Sequence, residues 1–103
     1  MKQHLYEVTV QHLADAQGNP STYSEALQFQ VGNHDDIFKI LEKLQASQLL
    51  DEESTKAFVI GLKLFSEVML ENKELPLFKE FLPQFAQFMK SLKQTVKAQS
   101  EEQ

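Results

Sequence analysis

DEESTKAFVIGLKLFSEVMLE, residues 51–71, is apolar around most of a helix's circumference over its later two-thirds. Four polar residues of that part are left to face solvent, namely Lys63, Ser66, Glu67 and Glu71. A helix this apolar must be covered on several sides, so we predict that residues 51–71 form the central helix of the fold. Gly61 lies in the middle of the apolar arc. Because glycine in a helix is destabilising relative to alanine, we expect it to mark the close approach of another element.

Two stretches before this helix alternate apolar and polar residues, which is the pattern of half-buried strands. The first runs from Leu5 to Leu13 and the second from Tyr23 to Val31. The segment between them is rich in turn-forming residues, so we predict a hairpin with a loop longer than two residues. Because two strands alone are marginally stable, the apolar face of the hairpin is expected to lie on the helices.

Helix start signals separate the hairpin from the central helix. Gly32 can end the second strand, and Asn33 can cap a first, amphipathic helix. Asp35 and Asp36 then lie in its first turn, where the helix dipole favours them. For the central helix, Asp51 or Ser54 can serve as the cap.

A third helix is predicted after Pro76, which suits a first helical turn. The apolar stripe of this helix keeps its phase as far as Val96. Pro83 interrupts the stretch by removing an amide donor, so the helix is predicted to be kinked or split there, with Pro83 on the solvent side. The prediction is an α+β fold in which an N-terminal antiparallel β-hairpin packs on three helices (β-β-α-α-α). Residues 1–96 are predicted to form a single domain, and residues 97–103 a polar tail that frays.

Composition limits the classes of function. The chain has 103 residues, enough for one core, and contains no cysteine, which excludes disulfide and thiolate chemistry. Its net charge is −5 and all ten basic residues are lysines, so nucleic acid is not an expected partner. No stretch has the apolar length of a signal peptide or a membrane span, so we expect a cytoplasmic protein that does not bind membranes.

His34, Asp35 and Asp36 come nearest to a metal-ligand cluster, because imidazole and carboxylates can bind a divalent cation. Adjacent helical residues point about 100° apart, however, and a helix N-terminus already accounts for both aspartates. We therefore predict that these residues act in helix capping and do not bind metal tightly. The sequence predicts no catalytic and no cofactor-binding residue.

Other polar and aromatic residues also have a structural explanation. His4 and His12 lie roughly 26 Å apart along a strand, too far to cooperate, and are predicted to be partly buried rim residues. Lys63 and Glu67 are four residues apart and predict a surface ion pair. Four phenylalanines at helical spacing favour core packing over a ligand pocket or partner groove, namely Phe78, Phe81, Phe85 and Phe88.

Several stretches taken together resemble an uncharacterised family of small bacterial proteins known as a domain of unknown function. They are MKQHLYEVTV, LQFQVGNHDDIF, GLKLFSEVMLENK, PLF and FMKSLK. The resemblance covers most of the chain and stops at about Thr95. It implies a bacterial, cytoplasmic α+β protein and brings no catalytic residue with it.

Our leading hypothesis is a non-enzymatic protein-interaction module that acts through an unknown protein partner or its own homodimer. Both predicted strands leave an unpaired edge on which Glu7 and Glu25 are the only charges. A homodimer would extend the hairpin into a four-stranded sheet, whereas a third short strand or the tail could cover the edge instead. The alternative is a small-molecule or metal-binding protein, or a minor enzyme, with a cleft between the hairpin and the helices.

Overall fold

A two-stranded antiparallel sheet precedes three α-helices in the computed structural model, which describes residues 2–101. The elements are β1 (His4–Val10), β2 (Leu27–Asn33), α1 (Ile37–Ser47), α2 (Glu52–Glu71) and α3 (Pro76–Glu101). This is the α+β fold with the order β-β-α-α-α that the sequence predicts. The chain divides into two compact units, the first ending at Asp35 and the second beginning at Asp36.

The register of the hairpin brings the apolar side chains of both strands to one face of the sheet. Tyr6 pairs with Val31, Val8 with Phe29, and Val10 with Leu27. Side chains alternate between faces along each strand, so these three pairs share one face. The pair nearest the connecting loop, Val10 and Leu27, is exposed, and so is Phe29. This face of the sheet is therefore apolar and accessible to solvent at its loop end.

Both strands are shorter than predicted because the loop between them folds on itself. The Asp15 carboxylate accepts hydrogen bonds from the N–H groups of Gln17 (3.0 Å) and Asn19 (2.8 Å). These bonds, with the Asn19 contact the strongest, lower the pKa of the Asp15 carboxyl. Gly18 supplies a positive φ of 89° for the turn, and an isolated bridge pairs Ala14 with Pro20. The loop therefore has its own hydrogen-bonded turn in place of continued strand pairing.

Helix α1 begins later than the sequence suggests. Its N-cap is Asp36, whose Oδ1 accepts hydrogen bonds from the N–H groups of Phe38 (3.1 Å) and Lys39 (3.3 Å). The prediction that Asn33 caps this helix is wrong, because the Asn33 backbone still pairs with His4 as the last residue of β2. Its side-chain oxygen instead accepts from the N–H of Asp35 at 2.9 Å.

Helix α2 starts as expected. Asp51 is its N-cap and accepts a hydrogen bond from the N–H of Ser54 at 2.7 Å, so of the two predicted caps the structure uses Asp51. The core of the second unit contains side chains from all three helices, and α1 contacts both α2 and α3. Its buried apolar members are Ile37, Leu44, Val59, Met69 and Val96.

The buried face of α2 is not the one predicted. Ser66 and Glu67 are only 6% and 5% exposed, so the prediction that they face solvent is wrong. Exposed instead are the apolar residues Ile60, Phe65, Val68 and Leu70. A helical wheel identifies which side chains share a face, but it does not say which face the neighbouring helices cover. The predicted ion pair of Lys63 with Glu67 stays a prediction, but its expected place on the surface is wrong, since Glu67 is buried.

Helix α3 is a single helix that continues through Pro83, and Pro83 is exposed as predicted. The structure therefore has one continuous helix here and not two abutting helices. It extends to Glu101, into the segment predicted to be a frayed tail, while residues 102–103 lie outside the described residues. Among the helices between residues 2 and 101, none combines the length and the hydropathy that crossing a membrane requires.

Candidate functional site

The three metal candidates, His34, Asp35 and Asp36, do not turn their side chains toward one common point. His34 Nε2 lies 3.7 Å from the Asp35 carboxylate, and both side chains are partly exposed. The Asp36 carboxylate instead accepts hydrogen bonds at the start of α1. Within residues 2–101, no three His, Asp or Glu side chains are grouped closely enough to hold a metal ion. That His34, Asp35 and Asp36 do not bind a transition metal tightly stays a prediction, which equilibrium dialysis against zinc with a His34→Ala control would test.

A second polar contact holds the end of the hairpin in place. The Tyr6 hydroxyl donates a hydrogen bond to the backbone carbonyl of Asp35 at 2.9 Å. Tyr6 is half-buried on β1, and Asp35 follows the end of β2. The bond therefore links the first strand to the segment that follows the second. This is a structural role for Tyr6 that the alternation of residues does not predict.

The two histidines of the hairpin are in different surroundings. The His4 ring stacks near Tyr6, with ring centroids 6.2 Å apart, whereas His12 lies beyond the end of β1. His12 Nδ1 is 2.6 Å from the Ser21 hydroxyl oxygen, and its ring meets Tyr23 edge-on at 5.2 Å. Both histidines are exposed, so the prediction that they are partly buried is wrong.

The contact of His12 with Ser21 resembles a base beside a hydroxyl nucleophile. The Ser21 oxygen also accepts a hydrogen bond from the N–H of Tyr23 at 3.1 Å, and the N–H of Ser21 donates to the Leu13 carbonyl at 3.0 Å. These bonds are local contacts that order the loop. Sequence reasoning missed the pair because the Ala14–Pro20 bridge, which no motif indicates, brings residues 12 and 21 together.

The phenylalanines of α3 form an aromatic layer with α2. The Phe65 ring lies 6.2–6.4 Å, centroid to centroid, from three rings of α3, those of Phe78, Phe81 and Phe85. Further along, Phe58 meets Phe88 at 6.4 Å. The later phenylalanine of α3, Phe88, therefore contacts the earlier residue of α2, Phe58. This is the order of contacts expected for antiparallel helices. The layer is only partly covered, because Phe65, Phe81 and Phe88 remain 42–46% exposed.

Comparison with known proteins identifies the family. Residues 4–94 match the family model described as a Domain of Unknown Function with solved structure, DUF3861. The chain belongs to the DUF3861 family. The crystal structure at 2.20 Å resolution of a protein of unknown function from Pectobacterium atrosepticum SCRI1043 is similar, with 41% sequence identity and a TM-score of 0.77. That similarity covers 90% of this chain and 99% of the other. No curated protein matches the chain.

Membership of DUF3861 confirms the resemblance seen in the sequence, including its end near residue 95. Family and neighbour are both of unknown function, so function has to be argued from the surface of the chain. The most distinctive surface of the second unit is apolar and comes from α2 and α3. We call it the helical apolar face. It consists of Ala57, Ile60, Gly61, Phe65 and Val68 on α2 with Phe81 and Phe88 on α3, all of which are exposed.

Proposed function

We propose that this chain is a non-enzymatic protein-interaction module that acts as a homodimer. The observation that carries the proposal is the area of surface left exposed. The chain exposes 8048 Å², whereas a folded monomer of 11.9 kDa is expected to expose roughly 6,000 Å². This comparison, with an excess of roughly 2,000 Å², counts the chain as one body, whereas it divides into two compact units.

The excess persists when the two units are counted as separate bodies. Units of roughly 4 and 8 kDa would together expose roughly 7,000 Å². That still leaves an excess of roughly 1,000 Å². A stable protein–protein interface buries about 800 Å² on each partner, so either estimate supplies enough surface for one.

Exposed apolar side chains occur on both units. On the hairpin, Val10, Leu27 and Phe29 share the open face of the sheet. In the second unit the helical apolar face is similarly uncovered. Contiguous apolar patches of several hundred Å² on a soluble domain are typical of interaction sites. Strand β2 adds an edge of seven residues that contains no charged side chain and no proline, which is the kind of edge that pairs with another strand.

Two depressions among the described residues bear on the small-molecule alternative, and the one lined by Gln45, Gln48, Leu50 and Glu52 brings no histidine or lysine together. The depression formed on α3 is lined by Ser91, Gln94, Thr95, Ala98 and Gln99. All of these residues belong to one helix, which can contact a ligand from one side only. Ligand pockets bury most of the ligand surface, so this depression does not favour a binding protein. The cytoplasmic location, the bacterial source and the lack of a nucleic-acid partner stay predictions.

Light scattering coupled to size exclusion tests the proposal on the full chain at several protein concentrations. We expect a mass twice that of the 11.9 kDa chain over the upper part of the concentration range, and dissociation on dilution. A monomer mass at every concentration, up to the highest that stays soluble, would contradict the homodimer.

A further inference from the structure

One side of α2 carries a regular series of exposed residues without charge. Ser54, Ala57, Gly61, Phe65 and Val68 follow one another at spacings of three or four residues, so they share one face of the helix. Each of them is exposed. Phe65 reaches Phe81 of α3, with ring centroids 6.2 Å apart, so this side of α2 continues into the phenylalanines of α3.

The series is arranged symmetrically around Gly61 in a way that suits pairing with an identical helix. In an antiparallel pair with a two-fold axis at Gly61, residues equally far before and after Gly61 lie opposite each other. Ala57 then faces Phe65 of the partner subunit, and Ser54 faces Val68 of the partner subunit. Each small side chain meets a larger one, and the symmetry repeats both contacts. Large residues opposite small ones are what close packing between helices requires.

Packing within residues 2–101 gives no reason for a glycine at position 61. A Cβ atom added there would meet no atom of the described residues within 4 Å apart from its chain neighbours and the backbone of its own helix, so the prediction that another element of this chain approaches it is wrong. Glycine in a helix interior is disfavoured relative to alanine, and space for a side chain is available here. A second helix that crosses at Gly61 would explain the residue, because the distance between helix axes depends on the side chains at the contact.

Charge and area favour a second copy as the occupant of this face. Each chain has a net charge of −5, so two copies repel unless they meet through uncharged surface, and the helical apolar face provides it. Phe65, Phe81 and Phe88 each expose roughly 80–90 Å² on the scale of aromatic side chains. With Ile60 and Val68, which are 39% and 46% exposed, the face exposes roughly 400 Å². A homodimer interface buries about 800 Å² per partner, about 65% of it apolar, so this face supplies most of the apolar part.

We infer that a second copy of this chain occupies the helical apolar face, with the two α2 helices antiparallel and crossing at Gly61. The inference rests on the homodimer proposed above and assigns its contact surface. The hairpin edge is a different surface, and its use in place of α2 is the principal competing outcome.

Cysteine cross-linking tests the assignment, because the natural chain contains no cysteine. In a dimer of Gly61→Cys chains the two cysteines would meet at the crossing point. Their Cα atoms would then lie within the separation of about 4.4–6.8 Å that a disulfide spans. We expect mild oxidation to link most Gly61→Cys chains into covalent dimers. The matched control is Ala86→Cys, which replaces an exposed residue in α3 outside the face, and less than a tenth of it should cross-link. Ser54→Cys mixed with Val68→Cys should give the mixed dimer, whereas linkage of Ser54→Cys to itself would overturn the antiparallel arrangement.

A second measurement does not depend on disulfide geometry. Gly61→Leu adds a side chain at the crossing in both copies, so we expect the dissociation constant of the dimer to rise at least tenfold, with the helical circular dichroism unchanged. Ala86→Leu is the control and should leave the constant within twofold.

Two failures can be told apart. A wild-type monomer at all concentrations would refute both the homodimer and this inference. A wild-type dimer that resists Gly61→Leu and does not cross-link through Gly61→Cys would refute the α2 contact only. Dissociation of that dimer by Gln28→Lys together with Gln30→Lys, two exposed positions of β2, would then assign the contact to the hairpin edge.

Discussion

Two neighbouring residues near the end of α2 provide a sharp test of which side of this helix is buried. Met69 is 0% exposed, whereas Leu70 is 43% exposed. Both are large apolar residues in the same helical turn, and neither belongs to the helical apolar face. Truncating each to alanine therefore compares a buried and a half-exposed side chain in nearly the same backbone context.

The burial of the two side chains gives the expected magnitudes. Met69→Ala removes a fully buried side chain and leaves a cavity, which is expected to cost about 2–5 kcal/mol of unfolding free energy. Leu70→Ala removes a side chain that is only about half covered. Full burial of a leucine stabilises by about 1.5–3 kcal/mol, so we expect a loss of about 1 kcal/mol. Helix propensity changes little, because Met, Leu and Ala are all strong helix formers.

Urea unfolding followed by circular dichroism measures both changes. Wild type and variants should be compared at one protein concentration, and the slopes of the transitions should agree so that the midpoints report stability. We expect Met69→Ala to lower the midpoint clearly more than Leu70→Ala. Equal midpoints, or a larger effect of Leu70→Ala, would mean that the buried face of α2 is not the one that contains Met69.

Four further predictions concern the ends and the interior of the helices. Asp36→Ala should lower the unfolding free energy by about 1 kcal/mol in urea titrations, because it removes the cap of α1. The hydrogen bond from the Ser54 N–H lowers the pKa of the Asp51 carboxyl from its ordinary value of 3.8. The ionised Asp51 cap therefore stabilises the fold above that pH, and this stabilisation is lost as the pH falls through the folded pKa. Acid titration at fixed urea should therefore destabilise wild type more steeply than Asp51→Asn. Pro83→Ala should raise the unfolding free energy by up to about 3 kcal/mol, measured as a higher urea midpoint, because it restores an amide donor and relieves a clash inside α3. Amides of residues 97–101 should exchange with solvent faster than those in the middle of α3, and equal protection would contradict fraying.

The order of elements could be predicted because each has a local signal. Alternation identified both strands, and the register confirms that Tyr6 and Val8 share a face with their apolar partners. Pro76 begins α3 as the first-turn preference of proline predicts. The sequence signals place the N-cap of α1 at Asn33, three residues before the Asp36 cap of the structure. Whether Asn33 or Asp36 provides the cap depends on how far β2 stays paired, and pairing is set by the other strand.

Long-range contacts were beyond a single sequence. His12 and Ser21 are brought together by the turn at Asp15 and the bridge that follows it, and neither residue type indicates this contact. The Tyr6 hydrogen bond to the Asp35 carbonyl is similarly invisible, because any residue has a backbone carbonyl. The metal candidates were found by residue type alone, which does not say whether carboxylates face one another or a helix N-terminus.

On the helical apolar face, the exposure of α2 differs from what its sequence pattern predicts. A helix apolar around most of its circumference has to be covered on several sides, yet α1 and α3 leave Ile60, Phe65 and Val68 exposed. Ser66 and Glu67 are buried although they are polar. Helix α2 therefore buries polar residues while it exposes apolar ones. A second copy on the open side would satisfy the requirement that the pattern of α2 imposes. The two sides of α2 should then respond differently to substitution, with changes at Met69 lowering the stability of each chain and changes at Gly61 altering association between chains.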